Sequence, residues 1–328
     1  MSEDDLPLAS RPRTVAMTER ETDTTARPAA DAERETARAE GRAGFADRLR
    51  CALLTLLPHH PLSRCAGALA GSRRAAVKTP MIALFRRAYS VDLAEAAEPD
   101  PGRYPSFNAF FTRALAPAAR PIAPGEGAIA CPIDGALSAF GAVGGDALLQ
   151  AKGREVGLTD LLGGSPERAV PFEGGAFATL YLAPRDYHRV HMPLAGRLVE
   201  TVHVPGRLFA VDRPAVRAVP RLFARNERVA ALFETAAGPM AVVLVGALLV
   251  GSIETAWARR ITPPRGREVR AWVPDAELRL AKGEELGRFA MGSTVIVLFG
   301  PGRVHWDPEL APARAVRMGE RIGRVTAG

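Results

Sequence analysis

The 328-residue chain is poor in cysteine, in lysine and in aromatic side chains, which make up 6% of it. Its cysteines, Cys51, Cys65 and Cys131, form no Cys-x-x-Cys pair. A disulfide scaffold is therefore disfavoured, and a reducing compartment is the better interpretation. The sequence also has no phosphate-binding loop, no strand-coupled Gly-x-Gly-x-x-Gly, no Gly-x-Ser-x-Gly and no His-Glu-x-x-His. The enzyme classes that depend on those motifs are excluded.

The sequence lacks a segment typical of a signal peptide or of a membrane-spanning helix. Residues 1–43 are rich in acidic residues and almost free of large apolar side chains, so we expect a disordered tail there. The uncharged window from Ala236 to Ile253 contains Pro239 and several glycines and is dense in valine. Buried strands joined by a turn explain this window better than a spanning helix. We therefore expect that the chain does not cross a membrane.

What the chain does have is a local excess of positive charge within a formal net charge of +7. Residues 46–90 contain many basic residues and a single acidic one, Asp47. Apolar residues recur there at helical spacing and predict three short helices. The first ends before Pro58, and the second runs from Ser63, as N-cap, to about Ala70. The third carries its apolar stripe on one face, formed by Val77, Met81, Leu84, Phe85 and Ala88.

Two interpretations of these helices stay open. They could pack on the rest of the protein, or their apolar stripes and flanking cations could lie on a membrane surface rich in anionic lipids. Nucleic acid is disfavoured as a partner, because the basic residues alternate with leucine rather than with stacking aromatic side chains.

From about Ile122 onward, short runs rich in Val, Leu and Phe alternate with turns that contain Gly and Pro. This texture predicts a mostly antiparallel β core, barrel-like or sandwich-like, in an α+β fold that begins with the short amphipathic helices. Only Leu158–Leu162 and the segment near Phe107–Arg113 look helical. We expect residues 44–90 to form a helical, membrane-contacting segment and residues 91–328 to form one β-rich catalytic domain. The predicted strands are Ala178–Leu182, Gly196–Val204, Val229–Phe233, Met240–Val245, Val269–Val273 and Thr294–Phe299.

Three short segments could carry chemistry. His188 and His191 lie in one run; by themselves they are typical of a turn that leads into a strand, and no third ligand nearby completes a zinc site. Gly292-Ser293 precedes a β-branched strand and is typical of a turn. A serine hydroxyl can, however, attack the carbonyl of a preceding glycine, provided that a base and an orienting carboxylate assist it. Asp134, followed by glycine as in many turns, offers such a carboxylate.

Several segments, in this order and at compatible spacing over roughly residues 53–328, resemble the bacterial, pyruvoyl-dependent phosphatidylserine decarboxylases. The histidine segment is the closest match, and Met291 departs from the leucine that is usual in the family before the glycine. The segments that carry the resemblance are Ser106–Arg113, Arg120–Ile122, Pro132–Gly135, Tyr181–Pro193, Leu222–Val229, Val245–Ala247, Val250–Glu254, Lys282–Phe289 and Gly292–Thr294.

The resemblance implies a self-cleaving precursor. Ser293 attacks the Gly292 carbonyl, with His191 as base and Asp134 as the residue that orients it. The chain then separates into a β fragment, 1–292, and an α fragment, 293–328, and Ser293 becomes a covalent pyruvoyl group that forms a Schiff base with the substrate. His188 is expected to protonate the carbanion after decarboxylation, because imidazole titrates near neutral pH.

The resemblance further implies phosphatidylserine as substrate, phosphatidylethanolamine as product and no metal. It also suggests a homodimer attached peripherally to the cytoplasmic side of the cell membrane. Two other functions stay open. An unprocessed lipid-binding module would keep the fold without the chemistry, and a Ser-His-Asp hydrolase would use Ser293 as an ordinary nucleophile.

Overall fold

The computed structural model describes residues 49, 53–54, 59–151, 154–248, 252–262, 266, 268–290 and 293–326. The tail predicted over residues 1–43, most of the first predicted helix, and the peptide Met291–Gly292 lie outside the described residues. The described chain belongs to one compact unit, Arg42–Gly328.

Two helices lie between His59 and Tyr89, ahead of the β-rich part of the chain. Helix α1 spans His59–Ala70 and helix α2 spans Ala75–Tyr89. The predicted end of α1 and the existence of α2 are confirmed, but α1 begins before Ser63. Ser63 is therefore not its N-cap; it lies inside the helix and is buried. Helix α2 ends where Ser90 takes a left-handed conformation with φ 51°.

The apolar face of α2 packs on a short third helix, α3, at Phe107–Phe111. Phe85 meets the ring of Phe107 edge-on, with the two ring centroids 5.1 Å apart. Ile82 is buried, whereas Leu84 is 71% exposed. The predicted stripe is thus wrong at Leu84, because the turn of α2 directs Ile82 inward and Leu84 toward solvent.

The remaining elements form the β-rich part. The six predicted strands are confirmed, and so are the two predicted helical segments, at Phe107–Phe111 and at Leu158–Leu161. The further α-helices are α4 Leu158–Leu161, α5 Pro166–Ala169, α6 Arg213–Ala218 and α7 Leu222–Arg225. The strands are β1 Ala128–Ala130, β2 Gly135–Ala142, β3 Ala147–Ala151, β4 Arg154–Gly157, β5 Ala176–Leu182, β6 Arg189–His191, β7 Gly196–Val204, β8 Arg228–Thr235, β9 Gly238–Val245, β10 Ile253–Thr255, β11 Arg259–Arg260, β12 Arg270–Trp272, β13 Arg279–Leu280, β14 Glu285–Phe289, β15 Ser293–Phe299, β16 Val304–Trp306, β17 Ala315–Val316 and β18 Arg321–Val325.

A nine-stranded antiparallel sheet forms the centre of the fold. Its strand order is β12-β7-β8-β9-β15-β5-β2-β17, and β13 pairs with β7 outside this path. The two ends of the sheet, β12 and β17, do not pair with each other, so the sheet is open. The α+β class is confirmed, and of the two predicted shapes the closed barrel is wrong.

Strand β15 lies in the middle of this sheet, between β5 and β9, and all of its residues are buried. Its side chains alternate between two core layers, as the pleat of a strand requires. Ile296 and Leu298 pack with the hairpin β3–β4 and helices α4, α6 and α7. Val295 and Val297 pack instead with residues of β6 and β14. By this alternation Ser293 faces the second layer, whose strand β6 carries His191.

The four-stranded sheet of that second layer has the order β11-β10-β14-β6. In its register Glu285 of β14 lies opposite His191 of β6, and Arg288 lies opposite Arg189. The chain leaves β14 at Phe289 and begins β15 at Ser293. The two layers are therefore joined by the short segment that contains Gly292.

No helix in the described part of the chain is both long and apolar enough to cross a membrane. The uncharged window noted in the sequence contains β9, a strand in the interior of the nine-stranded sheet.

Candidate active site

A tight turn between β5 and β6 presents the two candidate histidines. The backbone N–H of Asp186 donates to the carbonyl of Ala183 at 2.9 Å, and the Asp186 carboxylate accepts the N–H of Ala183 at 2.7 Å. These two bonds close the turn immediately before His188. Burial raises the pKa of the Asp186 carboxyl.

His188 is completely buried and holds one of its ring nitrogens free. Its Nδ1 lies 2.9 Å from the carbonyl oxygen of Asp186, and a carbonyl can only accept, so Nδ1 carries the proton. Its Nε2 has no hydrogen-bond partner among the described residues. Phe111 covers the ring, with centroids 4.1 Å apart. Burial lowers the pKa of His188 to about 3, so the imidazole is neutral near pH 7.

His191 is held in the same tautomer by a different carbonyl. Its Nδ1 donates to Gly283 at 2.9 Å, which leaves the Nε2 lone pair to accept from the Tyr187 hydroxyl at 3.0 Å. Burial lowers the pKa of His191 and raises the pKa of Tyr187 to about 12. The tyrosine thus keeps its proton at neutral pH, and the imidazole is poised as a base rather than as an acid.

Ser293 begins β15 opposite Leu182, the last residue of β5 before the histidine turn. Its side chain is fully buried, and its Oγ has no hydrogen-bond partner among the described residues. On the preceding segment, the N–H of Phe289 donates to the carbonyl of His188 at 3.1 Å. The structure therefore brings the histidine turn and Ser293 to one end of the sheet. Gly292, the predicted site of attack, lies outside the described residues.

Asp134 has a different partner from the one that the sequence predicted. Its carboxylate accepts two parallel hydrogen bonds from Arg120, Nε to Oδ1 at 2.9 Å and Nη2 to Oδ2 at 2.6 Å, and a third from the Met318 N–H at 2.8 Å. It makes no hydrogen bond to His191, which Gly283 and Tyr187 orient instead. In this structure the Arg120 guanidinium and the Met318 backbone amide occupy the carboxylate, so the role of Asp134 in orienting His191 stays a prediction.

The segment of Asp134 nevertheless lies beside His191. The backbone N–H of His191 donates to the carbonyl of Pro132 at 2.9 Å. Gly135 begins β2 pressed against β5, since a Cβ at that position would lie 2.1 Å from the Tyr181 carbonyl oxygen. The Asp-Gly sequence thus marks a close approach of two strands at the site rather than an isolated turn.

Arg113 and Arg189, for which the sequence predicted no role, hold the histidine turn in place. Arg113 Nη2 donates to the carbonyl of Arg185 at 3.1 Å, and Arg189 Nε donates to the carbonyl of Thr112 at 3.0 Å. Arg189 also pairs with Glu285 on the neighbouring strand at 2.8 Å. Both arginines lie in segments of the family resemblance, which was the only sequence signal available for them. They link α3, the turn and β14.

The described residues contain no group of three or more His, Cys, Asp or Glu side chains placed to hold a metal ion. Ser293, at the start of β15, is a buried hydroxyl without a hydrogen-bond partner among the described residues.

Comparison with known proteins assigns the family. The sequence model described as phosphatidylserine decarboxylase matches residues 107–324, and one described as PSD matches residues 49–90. The fold and the site thus belong to a decarboxylase, and the chain is a member of the phosphatidylserine decarboxylase family.

Its curated relatives are similar over most of their length. The phosphatidylserine decarboxylase proenzyme of Bordetella pertussis is 57% identical over 282 residues, which cover 85% of this chain and 95% of the relative. The proenzyme of Ectopseudomonas mendocina is 56% identical and covers 82% of this chain and 96% of its own. That of Pseudomonas aeruginosa is 55% identical, with 84% and 96% covered.

The pairing of Arg120 with Asp134 generates a first prediction. Their side chains are 7% and 13% exposed, so removing Arg120 leaves the Asp134 carboxylate without its ion-pair partner among the described residues, whereas removing Asp134 leaves Arg120 paired with Glu95 at 2.8 Å. In a Ser293→Ala background, which removes the candidate nucleophile, Asp134→Asn and Arg120→Gln should each lower the free energy of unfolding. A double-mutant cycle measured by urea unfolding should give a coupling energy of about 2 kcal/mol.

The more exposed pair Arg321–Asp307, also at 2.8 Å, is the matched control and should give a coupling below about 1 kcal/mol. Equal coupling in the two cycles would show that Arg120 is not the partner on which Asp134 depends.

A second prediction concerns the protonation of His188. Its folded-state pKa, about 3, lies below the ordinary value of 6.5, so the unfolded chain takes up a proton first as the pH falls. Stability is therefore lost as the pH drops below about 6.5, by up to about 1.4 kcal/mol per pH unit for this one group. Urea unfolding of the Ser293→Ala protein between pH 7 and 5, together with NMR titration of the ring, measures both quantities.

His188→Gln should reduce this slope, whereas His305→Gln, at an exposed position on β16, serves as the control. A His188 ring that titrates close to pH 6.5 in the folded protein would contradict the structure.

Proposed function

We propose that the enzyme converts phosphatidylserine to phosphatidylethanolamine with a pyruvoyl group made from its own Ser293. The observation that carries the proposal is the buried Oγ of Ser293, which has no hydrogen-bond partner among the described residues and lies at the end of the sheet where two buried histidines are found. The word proenzyme in the names of the relatives supports a precursor that is processed. The absence of a Gly-x-Ser-x-Gly nucleophile motif from the sequence disfavours the alternative hydrolase.

Processing begins with the Ser293 hydroxyl. Oγ attacks the carbonyl carbon of Gly292, the C–N bond breaks, and the amide becomes an ester with a free amine on residue 293. Elimination across Cα and Cβ of residue 293 then releases the Gly292 carboxylate and leaves a dehydroalanine. Water hydrolyses its imine tautomer to a ketone and ammonia, so one water is consumed overall. Residue 293 ends as the pyruvoyl group at the start of the new fragment.

A base must remove the proton of Oγ during the attack, and His191 is the proposed one. Its Nε2 lone pair is fixed by the Nδ1–H bond to Gly283, and Tyr187 donates to that lone pair in the resting chain. The hydrogen bond from Tyr187 must therefore break before His191 Nε2 can accept the serine proton. Asp134 supports this site indirectly, through Arg120 and through the turn between β17 and β18, which it anchors at Met318.

A pyruvoyl ketone supplies an electron sink for the electron pair that remains when carbon dioxide leaves the substrate. The residues of the chain must then deliver a proton to the substrate carbon. His188 is the proposed carrier, since its Nε2 lone pair is unpartnered. Because burial lowers the pKa of His188 to about 3, below the neutral range expected from the sequence, the ring has to take up a proton within the site before it donates one.

The third prediction is that the purified protein consists of two fragments, residues 1–292 and 293–328. The smaller fragment should resist Edman degradation, because a pyruvoyl group has no amine. Ser293→Ala removes the attacking oxygen and should stay a single chain on a denaturing gel and by intact mass. A wild-type protein that keeps its full mass and releases no carbon dioxide would refute the proposed function.

The same gel separates the roles of the two histidines. His191→Ala should remain uncut, since it lacks the base. His188→Ala should be cut yet release carbon dioxide at least about 100-fold more slowly than the wild type, in keeping with the usual contribution of a proton-transfer group. If His188→Ala is uncut and His191→Ala is cut, the two assignments are reversed.

The helical segment supports a further proposal, peripheral attachment to anionic lipid on the cytoplasmic side of the cell membrane. One face of α2 packs on α3, but large apolar side chains elsewhere in the segment point to solvent. Leu69 is 56% exposed and Leu84 is 71% exposed. The cations Arg73, Arg74 and Arg87 are exposed in the same segment. Exposed apolar groups beside cations are the composition of an interfacial surface.

The suggested homodimer stays a prediction.

As a fourth prediction, the triple change Arg73→Glu, Arg74→Glu and Arg87→Glu should weaken binding to anionic vesicles on the order of 100-fold, at about 1 kcal/mol per cation. Self-cleavage should be unchanged, because none of these residues lies at the site. Co-sedimentation with vesicles, at low and at high salt, measures the effect.

The matched control reverses Arg279, Arg303 and Arg324, three exposed arginines outside the helical segment. Equal loss of binding in both triple variants would indicate a nonspecific effect of net charge and contradict a membrane surface on the helices.

A further inference from the structure

A cavity of about 260 Å³ opens between α1, Asn108 of α3, Arg260 of β11 and Ala290, the residue that follows β14. Ala290 and Ser252 form one wall, joined by a hydrogen bond from the Ala290 N–H to the Ser252 carbonyl at 2.9 Å. Ala290 lies three positions before Ser293 along the chain. The other polar and charged lining residues are Ser63, Arg64, Asn108 and Arg260. One wall of the cavity therefore comes within three residues of Ser293 along the chain.

The charged residues of the lining are both arginines. Arg64, on α1, is exposed and makes no hydrogen bond or ion pair with another described residue. Arg260, on β11, has its Nε 3.5 Å from Glu254, while its side chain remains 64% exposed. Glu254, which also accepts from the Ser252 hydroxyl at 3.3 Å, is the only carboxylate bonded to the described lining residues. The cavity thus keeps an excess of positive charge.

Two polar side chains of the lining have atoms without partners. Ser63 is only 5% exposed, and its hydroxyl oxygen has no hydrogen-bond partner among the described residues. The Asn108 side-chain oxygen is buried and unpartnered as well. An unsatisfied buried polar group costs about 1–3 kcal/mol, so such groups usually mark a place where a ligand or water binds.

The other arginines near the site are already engaged. Arg113 donates to the carbonyl of Arg185, Arg120 is paired with Asp134, and Arg189 is paired with Glu285. Each of these three arginines holds a segment of the protein in place through the bonds just given. Arg64 and Arg260 are the described cations at the cavity that keep donors for a ligand.

We propose that this cavity binds the phosphodiester of the phospholipid substrate, with Arg64 and Arg260 as its cations and Ser63 as a hydroxyl donor. The inference rests on the proposed function. There the serine amine of the substrate must reach residue 293, and the phosphate follows that serine after a single methylene group and an oxygen. The negative charge consequently comes to lie within a few bonds of residue 293. Guanidinium groups match phosphate oxygens in geometry as well as in charge.

This site gives α1 a role at the reacting position. Arg64 and Ser63 belong to the helix whose outer side carries exposed leucines such as Leu62 and Leu69. The phosphate of a membrane lipid lies at the boundary between its acyl chains and water. A helix that rests on that boundary is therefore placed to bind the phosphate while the headgroup reaches into the protein.

Steady-state kinetics of the self-cleaved enzyme on phosphatidylserine in neutral detergent micelles test the assignment, because such micelles remove the general attraction to an anionic surface. Arg64→Gln and Arg260→Gln should each lower kcat/KM about tenfold or more, mainly through KM, as expected for a lost charge-assisted hydrogen bond. The matched controls are Arg303→Gln, an exposed position outside the helical segment, and Arg259→Gln, the neighbour of Arg260 on β11. Both should keep the wild-type KM.

Two soluble probes identify what the cavity recognises. Glycerophosphoserine should inhibit the wild type competitively, with an inhibition constant that Arg64→Gln and Arg260→Gln raise about tenfold. Inorganic phosphate, used alone, shows whether the cavity accepts free phosphate or requires the phosphate within a headgroup. Inhibition by either probe is consistent with an anion site. Comparison of the two probes distinguishes a site for free phosphate from a site for the phosphate of a lipid headgroup.

The inference is overturned if the wild type cleaves itself and releases carbon dioxide while Arg64→Gln and Arg260→Gln match the two controls in KM. It is also overturned if either variant fails to cleave at Gly292–Ser293, since the arginine would then serve processing rather than substrate. A wild type that neither cleaves nor releases carbon dioxide refutes the proposed function instead. The two failures are therefore separable.

Discussion

The pairing of β15 with both β5 and β9 is the constraint on which the rest of the structure depends. Six or more consecutive backbone pairs on each side hold this strand in the middle of the nine-stranded sheet. The pairing fixes which residues face which core layer, and it buries Ser293 at the end of the strand. A serine with a free hydroxyl is thereby held, without any solvent contact, beside the layer that carries the two histidines.

The electrostatics of the site follow from that burial. Neither imidazole makes a hydrogen bond to a carboxylate; each is fixed by a backbone carbonyl, Asp186 for His188 and Gly283 for His191. A carbonyl sets the tautomer but contributes no full negative charge that would favour the protonated ring. Desolvation therefore prevails, and both rings stay neutral with a lone pair on Nε2. Each of the two histidines must therefore accept a proton before it can donate one.

Local regularity made much of the fold predictable. The strand Gly196–Val204 has the bounds that its sequence predicts, since turn residues flank an apolar run. The start of α1 was not predictable, because Ser63 satisfies the N-cap preference yet lies inside the helix, where two histidines and a proline precede it. Leu84 and Ile82 exchange their expected roles because packing on α3 selects the buried face.

The candidate site, like the fold, was predictable only in part. The residues that approach Ser293 were identified from motifs, but their partners were not. Whether Asp134 binds an imidazole or a guanidinium depends on where Arg120 comes to lie in three dimensions, and no local pattern records that. The depressed pKa of His188 likewise arises from enclosure by Phe111 and the core, a property of the folded chain alone.

The central position of β15 has a consequence for the lifetime of the mature enzyme. On the proposed cleavage, the sheet would contain a strand that belongs to a separate polypeptide, bordered by the other fragment on both sides. The fragments would share one interior and unfold together. Refolding, however, would require two molecules to meet, and the new terminus would no longer carry the serine that made the cut. Assembly of the enzyme would then be a one-time event in which the covalent link serves folding and is afterwards given up.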